Sequence, residues 1–178
     1  MKIFIGCSGS DNMPEKYITN CQKLISILFK NNHDLIFGAS NQGLMGLSYN
    51  LAKKFNREII GICPEAYEKD FKNLDCTLEL TTKTIGNRTD KLIELSDIII
   101  FLPGGIGTIY ELMATIESKR SDEFNKPILI YNPHGYYDKL FNFLDEIYNQ
   151  NITSPSVKNC YHISNNLEDA LTFLNEIL

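Results

Sequence analysis

Short apolar runs alternate along the chain with longer stretches whose apolar positions recur every three or four residues. Lys2–Cys7, Asp34–Phe37, Glu58–Cys63, Cys76–Leu80, Asp97–Leu102, Pro127–Tyr131 and Cys160–Ile163 read as strands. Between them, Ile18, Cys21, Leu24, Ile25 and Leu28 form a helical stripe, as do Tyr137, Leu140, Phe141, Leu144, Ile147 and Tyr148, and again Leu167, Leu171, Leu174 and Leu178. The run from Asp97 to Leu102 lacks polar alternation, as expected of a parallel strand covered by helices on both faces. The pattern predicts an α/β fold, a doubly wound sandwich with a central parallel sheet flanked by helices. In such folds ligands bind beyond the carboxyl ends of the strands.

No repeat, low-complexity segment or linker interrupts the pattern, so residues 1–178 are expected to form a single domain. The polar stretch from Asn149 to Lys158 reads as a surface loop before the last strand. A chain of 178 residues with 43% hydrophobic and 22% charged positions buries roughly 70% of its unfolded surface without needing a metal or disulfide staple.

Seventeen basic against 22 acidic residues give a net charge of −5, and no Lys/Arg run follows a phosphate backbone, so no nucleic-acid partner is expected. Cys7, Cys21, Cys63, Cys76 and Cys160 include no Cys-x-x-Cys pair, and their odd number suits reduced thiols in a cytoplasmic protein. His33, His134 and His162 lack metal-ligand spacing, and no metal is expected. The apolar run at the N-terminus is too short for a signal peptide. No stretch reaches the roughly 20 apolar residues needed to span a bilayer, so no membrane partner is expected.

Three strand-to-helix turns are rich in small residues: Gly6-Cys7-Ser8-Gly9-Ser10, Gly38-Ala39-Ser40-Asn41-Gln42-Gly43 and Pro103-Gly104-Gly105-Ile106-Gly107-Thr108. In a parallel sheet all three open on one edge, where bare backbone and helix N-termini suit a phosphate. The third carries the strongest signal, with three glycines in four residues followed by a hydroxyl. There is no G-x-x-x-x-G-K-[ST] loop, the first turn lacks G-x-G-x-x-G, and no acidic residue follows the second strand. Ordinary ATP or GTP hydrolysis and a nicotinamide cofactor are therefore disfavoured.

Glu111 lies one helical turn beyond Thr108. It reads either as a first-turn carboxylate favoured by the helix dipole or as a group beside a bound sugar phosphate. Arg88, taken alone, reads as a surface ion-pair partner of Asp90.

The segment Pro103-Gly104-Gly105-Ile106-Gly107-Thr108-Ile109-Tyr110-Glu111 resembles the PGGxGTxxE motif of the LOG ("Lonely guy") cytokinin riboside 5′-monophosphate phosphoribohydrolases. Gly43-Leu44-Met45-Gly46, Arg88 standing fifteen residues before Pro103, Lys126-Pro127 and Gly135-Tyr136-Tyr137-Asp138 extend the resemblance over nearly the whole chain. It implies a Rossmann-like homodimer that hydrolyses a nucleoside 5′-monophosphate, directed at a cytokinin nucleotide or AMP, to free base and ribose 5-phosphate without a cofactor. By position, Arg88 and Glu111 would be catalytic. Gly104, Gly105, Gly107 and Thr108 would bind substrate through its phosphate, with Ser8, Gly9, Gly38 and Ser40 on the neighbouring turns.

Four departures from the family pattern lie near the expected base and dimer partner. Ile85 and Thr89 stand where the family usually has methionine and lysine, Gly38-Ala39-Ser40 replaces a triple glycine, and the chain has no tryptophan. The lysine-decarboxylase label once attached to the family needs a Schiff-base lysine, and no lysine is marked for that role. The molybdenum-cofactor carriers are similar in fold and anion site, which makes a noncatalytic carrier of a phosphorylated cofactor the alternative.

Overall fold

The computed structural model describes residues 1–71 and 74–177. The strands are β1 (Lys2–Gly6), β2 (Asp34–Phe37), β3 (Ile59–Pro64), β4 (Leu78–Thr82), β5 (Ile98–Phe101), β6 (Ile128–Tyr131) and β7 (His162–Ser164). They form one seven-stranded sheet in the order β4-β3-β2-β1-β5-β6-β7, and every pairing is parallel. The chain winds outward from β1 to β4, then returns to lay β5 against the other side of β1. The switch point therefore falls between β1 and β5, where a doubly wound sheet opens a crevice for ligand.

The helices are α1 (Glu15–Lys30), α2 (Gly43–Lys54), the one-turn α3 (Glu68–Phe71), α4 (Ile85–Leu95), α5 (Ile106–Arg120), α6 (Asp138–Asn149) and α7 (Leu167–Ile177). Strand periodicity divides the core. Ile3, Ile5, Leu35 and Phe37 face Leu24 and Leu28 of α1, Leu44 of α2 and Leu174 of α7. Phe4, Ile36, Ile99 and Phe101 face Leu92 of α4, Leu112 of α5 and Phe141 of α6. Alternate residues of one strand thus feed opposite layers. Leu178, the last position of the third stripe, lies outside the described residues.

Strand ends otherwise shift by at most a single residue, but three places differ by more from the sequence expectation. β4 lies two residues later than Cys76–Leu80, because Thr77 Oγ1 accepts the Ile59 N–H at 3.0 Å and ladder pairing begins at Leu78. The expected loop 149–158 instead enters a 3-10 helix at Pro155–Cys160, capped by Ser154. β7 accordingly starts at His162, not Cys160.

Four helices end alike. Asn32, Asn56, Asp122 and Asn151 follow α1, α2, α5 and α6 with φ of 64°, 53°, 58° and 55°. In each case the next N–H reaches back into the last turn, as His33 to Leu28 O at 3.3 Å and Arg57 to Ala52 O at 2.9 Å. These are Schellman closures with Asn or Asp in the place glycine usually takes. Among the described residues no helix is long and apolar enough to cross a membrane.

Candidate functional site

The turn after β5 builds the centre. Gly104 is buried, and a Cβ there would lie 2.1 Å from Thr108 Oγ1, so the turn closes only with glycine at this position. Gly105 and Gly107 are exposed, and a Cβ on either would meet nothing within 4 Å. Gly105 is the N-cap of α5 and offers no side-chain cap. The first-turn N–H groups of α5 therefore face a surface of bare backbone, with the partial positive charge of a helix start behind them.

The turns after β1 and β2 are laced to it. Ser8 N–H donates to Pro103 O at 3.1 Å, and Met45 N–H donates to Ser8 O at 3.1 Å. The Ser8 hydroxyl accepts from Ser10 N–H at 3.0 Å, and Gly43 N–H donates to Asp11 Oδ1 at 2.8 Å. Gly43 has φ +57°, and a Cβ there would lie 2.6 Å from Ser10 O. Close backbone contact between two turns explains that glycine.

Arg88 and Glu111 meet between these turns. Thr84 caps α4 by accepting Asn87 N–H at 3.1 Å, which sets Arg88 one turn into the helix. Arg88 Nη2 donates to Glu111 Oε1. The side chains retain only 15% and 3% of their exposure, and Arg88 Nε is buried without an acceptor among the described residues. The local reading of Arg88 as a partner of Asp90 is replaced by a pair that spans two helices. Burial pushes the Glu111 carboxyl up from the ordinary glutamate range, and the Arg88 guanidinium opposes that shift without cancelling it.

Gly38 and Ser40 flank the arginine, and Gly9 lies against Ser40. A Cβ on Gly38 would lie 3.4 Å from Arg88 Nη1, and one on Gly9 would lie 3.5 Å from Ser40 Oγ. Gly38, Ser40, Met45, Pro64, Tyr67 and Arg88 line a cavity of about 170 Å³ together with Ala39 and Cys63. Ala39, in the place of a family glycine, is buried and adopts φ +58°. The left-handed conformation that a triple glycine would reach freely is thus kept here at some strain.

Sequence reasoning missed Met45, Cys63, Pro64 and Tyr67 as wall residues, although the end of β3 marks the last three as lying on the ligand-binding edge. A hollow of about 500 Å³ at Glu68, Phe71, Leu74, Glu79 and Thr81 lies against the outer strand β4. Its two carboxylates do not suit a phosphate. Among the described residues no cluster of His, Cys, Asp or Glu has the makings of a metal site.

Residues 45–174 match the sequence profile of a family described as "Possible lysine decarboxylase". The chain is 30% identical over 166 residues to the cytokinin riboside 5′-monophosphate phosphoribohydrolase LOG3 of Arabidopsis thaliana, covering 88% of this chain and 74% of that protein. It is 29% identical to a rice (Oryza sativa subsp. japonica) protein named "Probable cytokinin riboside 5′-monophosphate phosphoribohydrolase LOGL6", again over 88% of this chain, but spans only 63% of the rice protein's length. The fold matches the molybdenum cofactor binding protein of Rippkaea orientalis with a TM-score of 0.72 at 20% identity, covering 99% of this chain and 96% of that one.

Proposed function

The chain belongs to the LOG family, and from that premise we propose that it is a nucleoside 5′-monophosphate phosphoribohydrolase, splitting the N-glycosidic bond with water. The observation that carries the proposal is the Arg88–Glu111 pair, enclosed between three turns of small residues at the sheet's switch point. The N–H groups of Gly104, Gly105, Gly107 and Thr108 take the 5′-phosphate and position the sugar over Glu111.

Loss of the base leaves positive charge on the sugar, which the Glu111 carboxylate stabilises while it orients the attacking water. Arg88, whose Nε has no acceptor among the described residues, would hold the sugar or the departing base. The base lies toward the cavity walled by Met45, Pro64 and Tyr67, whose flat and apolar surfaces suit an aromatic ring. A second copy of the chain completes the assembly, consistent with the resemblance.

The test is incubation with a panel of nucleoside 5′-monophosphates, cytokinin nucleotides and AMP included, and with the matching nucleosides, following free base by chromatography. Release from monophosphates is expected, with a loss of about 10²–10⁴-fold in Glu111→Gln. The likeness in fold to a molybdenum cofactor binding protein supports a second reading, a carrier of a phosphorylated pterin. A protein that binds phosphate compounds yet releases no base from any nucleotide would favour that carrier.

A further inference from the structure

Each carbonyl of the β5–α5 turn is drawn back into the protein. Leu102 C=O accepts from the Tyr137 hydroxyl at 2.7 Å. Gly104 C=O accepts from the Tyr136 hydroxyl at 2.8 Å. Pro103 C=O accepts from Ser8 N–H at 3.1 Å, and Gly105 C=O from Ile109 N–H at 3.0 Å. Two of the four donors are neighbouring side chains on the β6–α6 turn.

The N–H and C=O of a trans peptide point in opposite directions. A carbonyl fixed inward therefore turns the N–H of the next residue outward. The Tyr136 bond acts on the peptide between Gly104 and Gly105 and so aims Gly105 N–H. That peptide most needs a latch, because both its residues are glycines and the space beside Gly105 is empty to 4 Å.

The latch is itself held firmly. The Tyr136 ring packs edge-on against Tyr17 at 5.0 Å and against Tyr137 at 4.9 Å. Tyr137 N–H donates to Asn132 Oδ1 at 2.6 Å, and Asn132 Nδ2 donates to Asp138 Oδ1 and Asn165 Oδ1, each at 2.8 Å. Burial pushes the Tyr136 hydroxyl up from the ordinary tyrosine range, so it remains a donor at neutral pH.

We propose that Tyr136 is a positioning residue for phosphate recognition: its hydroxyl fixes the Gly104–Gly105 peptide so that Gly105 N–H faces the bound phosphate, while Tyr137 anchors the root of the same turn. This rests on the reading that the β5–α5 turn receives the phosphate. It extends that reading to a residue that touches no substrate. An anion approaching the latched turn meets N–H dipoles and no carbonyl oxygen.

The experiment is calorimetric titration of the full chain with ribose 5-phosphate and with inorganic phosphate, comparing wild type, Tyr136→Phe and Tyr136→Leu. Tyr136→Phe keeps the ring and removes only the donor. It is expected to weaken ribose 5-phosphate binding roughly five- to tenfold, the scale of one hydrogen bond and its unpaired acceptor. In turnover, KM for a nucleoside monophosphate should rise by the same factor at unchanged kcat, while the inhibition constant of the unphosphorylated nucleoside, added as a competitor, stays constant.

Unchanged ribose 5-phosphate affinity in Tyr136→Phe overturns the proposal whatever Tyr136→Leu does, since a loss in leucine alone would assign the effect to the ring, and so does an equal loss toward phosphorylated and unphosphorylated ligands. Wild type that binds neither ribose 5-phosphate nor phosphate also overturns it. Wild type that binds ribose 5-phosphate in a Tyr136-dependent way but hydrolyses no nucleotide overturns only the hydrolase reading.

Discussion

Burial and the Arg88 guanidinium pull the Glu111 proton in opposite directions, and burial is the larger influence. In the unfolded chain this carboxyl releases its proton near 4.5, and in the folded chain at a higher pH. Between the two values the folded form binds more protons, so Glu111 contributes stability that is complete below 4.5 and lost as pH rises through the folded value. Urea melts of wild type and Glu111→Gln across pH 4–8 should show the difference between the curves shifting against wild type over that window. Arg88→Met should destabilise the protein at pH 7 by somewhat less than the roughly 3–5 kcal/mol of a fully enclosed pair, since Arg88 keeps 15% exposure and the orphaned carboxyl can take a proton. Adding Glu111→Gln to Arg88→Met should recover part of the loss. From the residues alone the pair was only half legible, and it was the family resemblance that pointed to Arg88. Glu111 was marked by its distance from the glycine turn, but Arg88 had the nearby Asp90 as a local partner, and only the packing of α4 beside α5 brings it to a carboxylate 23 residues away.

The four Schellman closures set a cost and a prediction at the level of the element. Asn and Asp enter the left-handed region more readily than other side chains, but less freely than glycine. Asn56 and Asp122 are exposed and adopt φ of 53° and 58°, so Asn56→Gly and Asp122→Gly should each stabilise the fold by about 0.5–1 kcal/mol. Alanine at either place should destabilise it by about 1 kcal/mol. Thermal melts of the four variants check both signs. These same residues explain why the helix ends were harder to read than the strands. A glycine would have marked each stop, whereas Asn and Asp also suit loops and helix N-caps. The buried strands declared themselves, because β5 is apolar at every position and the parallel sheet demands it. β4 did not: it lies at the sheet edge with a mixed, half-exposed pattern, so no buried face fixed its register.

At the scale of the whole molecule, the alternation of strands and helices implied a parallel sheet but not its order. The order decides function, because laying β5 beside β1 brings the glycine turn of one half against the Ser8 turn of the other. That convergence places the candidate site at one edge, and an unpartnered apolar surface lies beside it. Ile106 is 84% exposed, Tyr110 44% and Ile85 48%. Ile106 and Tyr110 are one turn apart on α5, and a Cβ on Gly86, next to Ile85, would lie 3.6 Å from the Tyr110 hydroxyl. The starts of α4 and α5, which carry these three exposed apolar residues, therefore lie side by side and offer a candidate patch, where isolated exposure of single residues would mean little. A second copy of the chain pressed on this patch would bury it and roof the glycine turns of both copies. Light scattering on the eluting protein should accordingly give twice the 20.3 kDa of one chain, and Ile106→Asp should shift it toward the single-chain mass without lowering the far-ultraviolet helix signal. If wild type elutes at 20.3 kDa across the micromolar range, the patch is not a self-association surface and each site works from one chain alone.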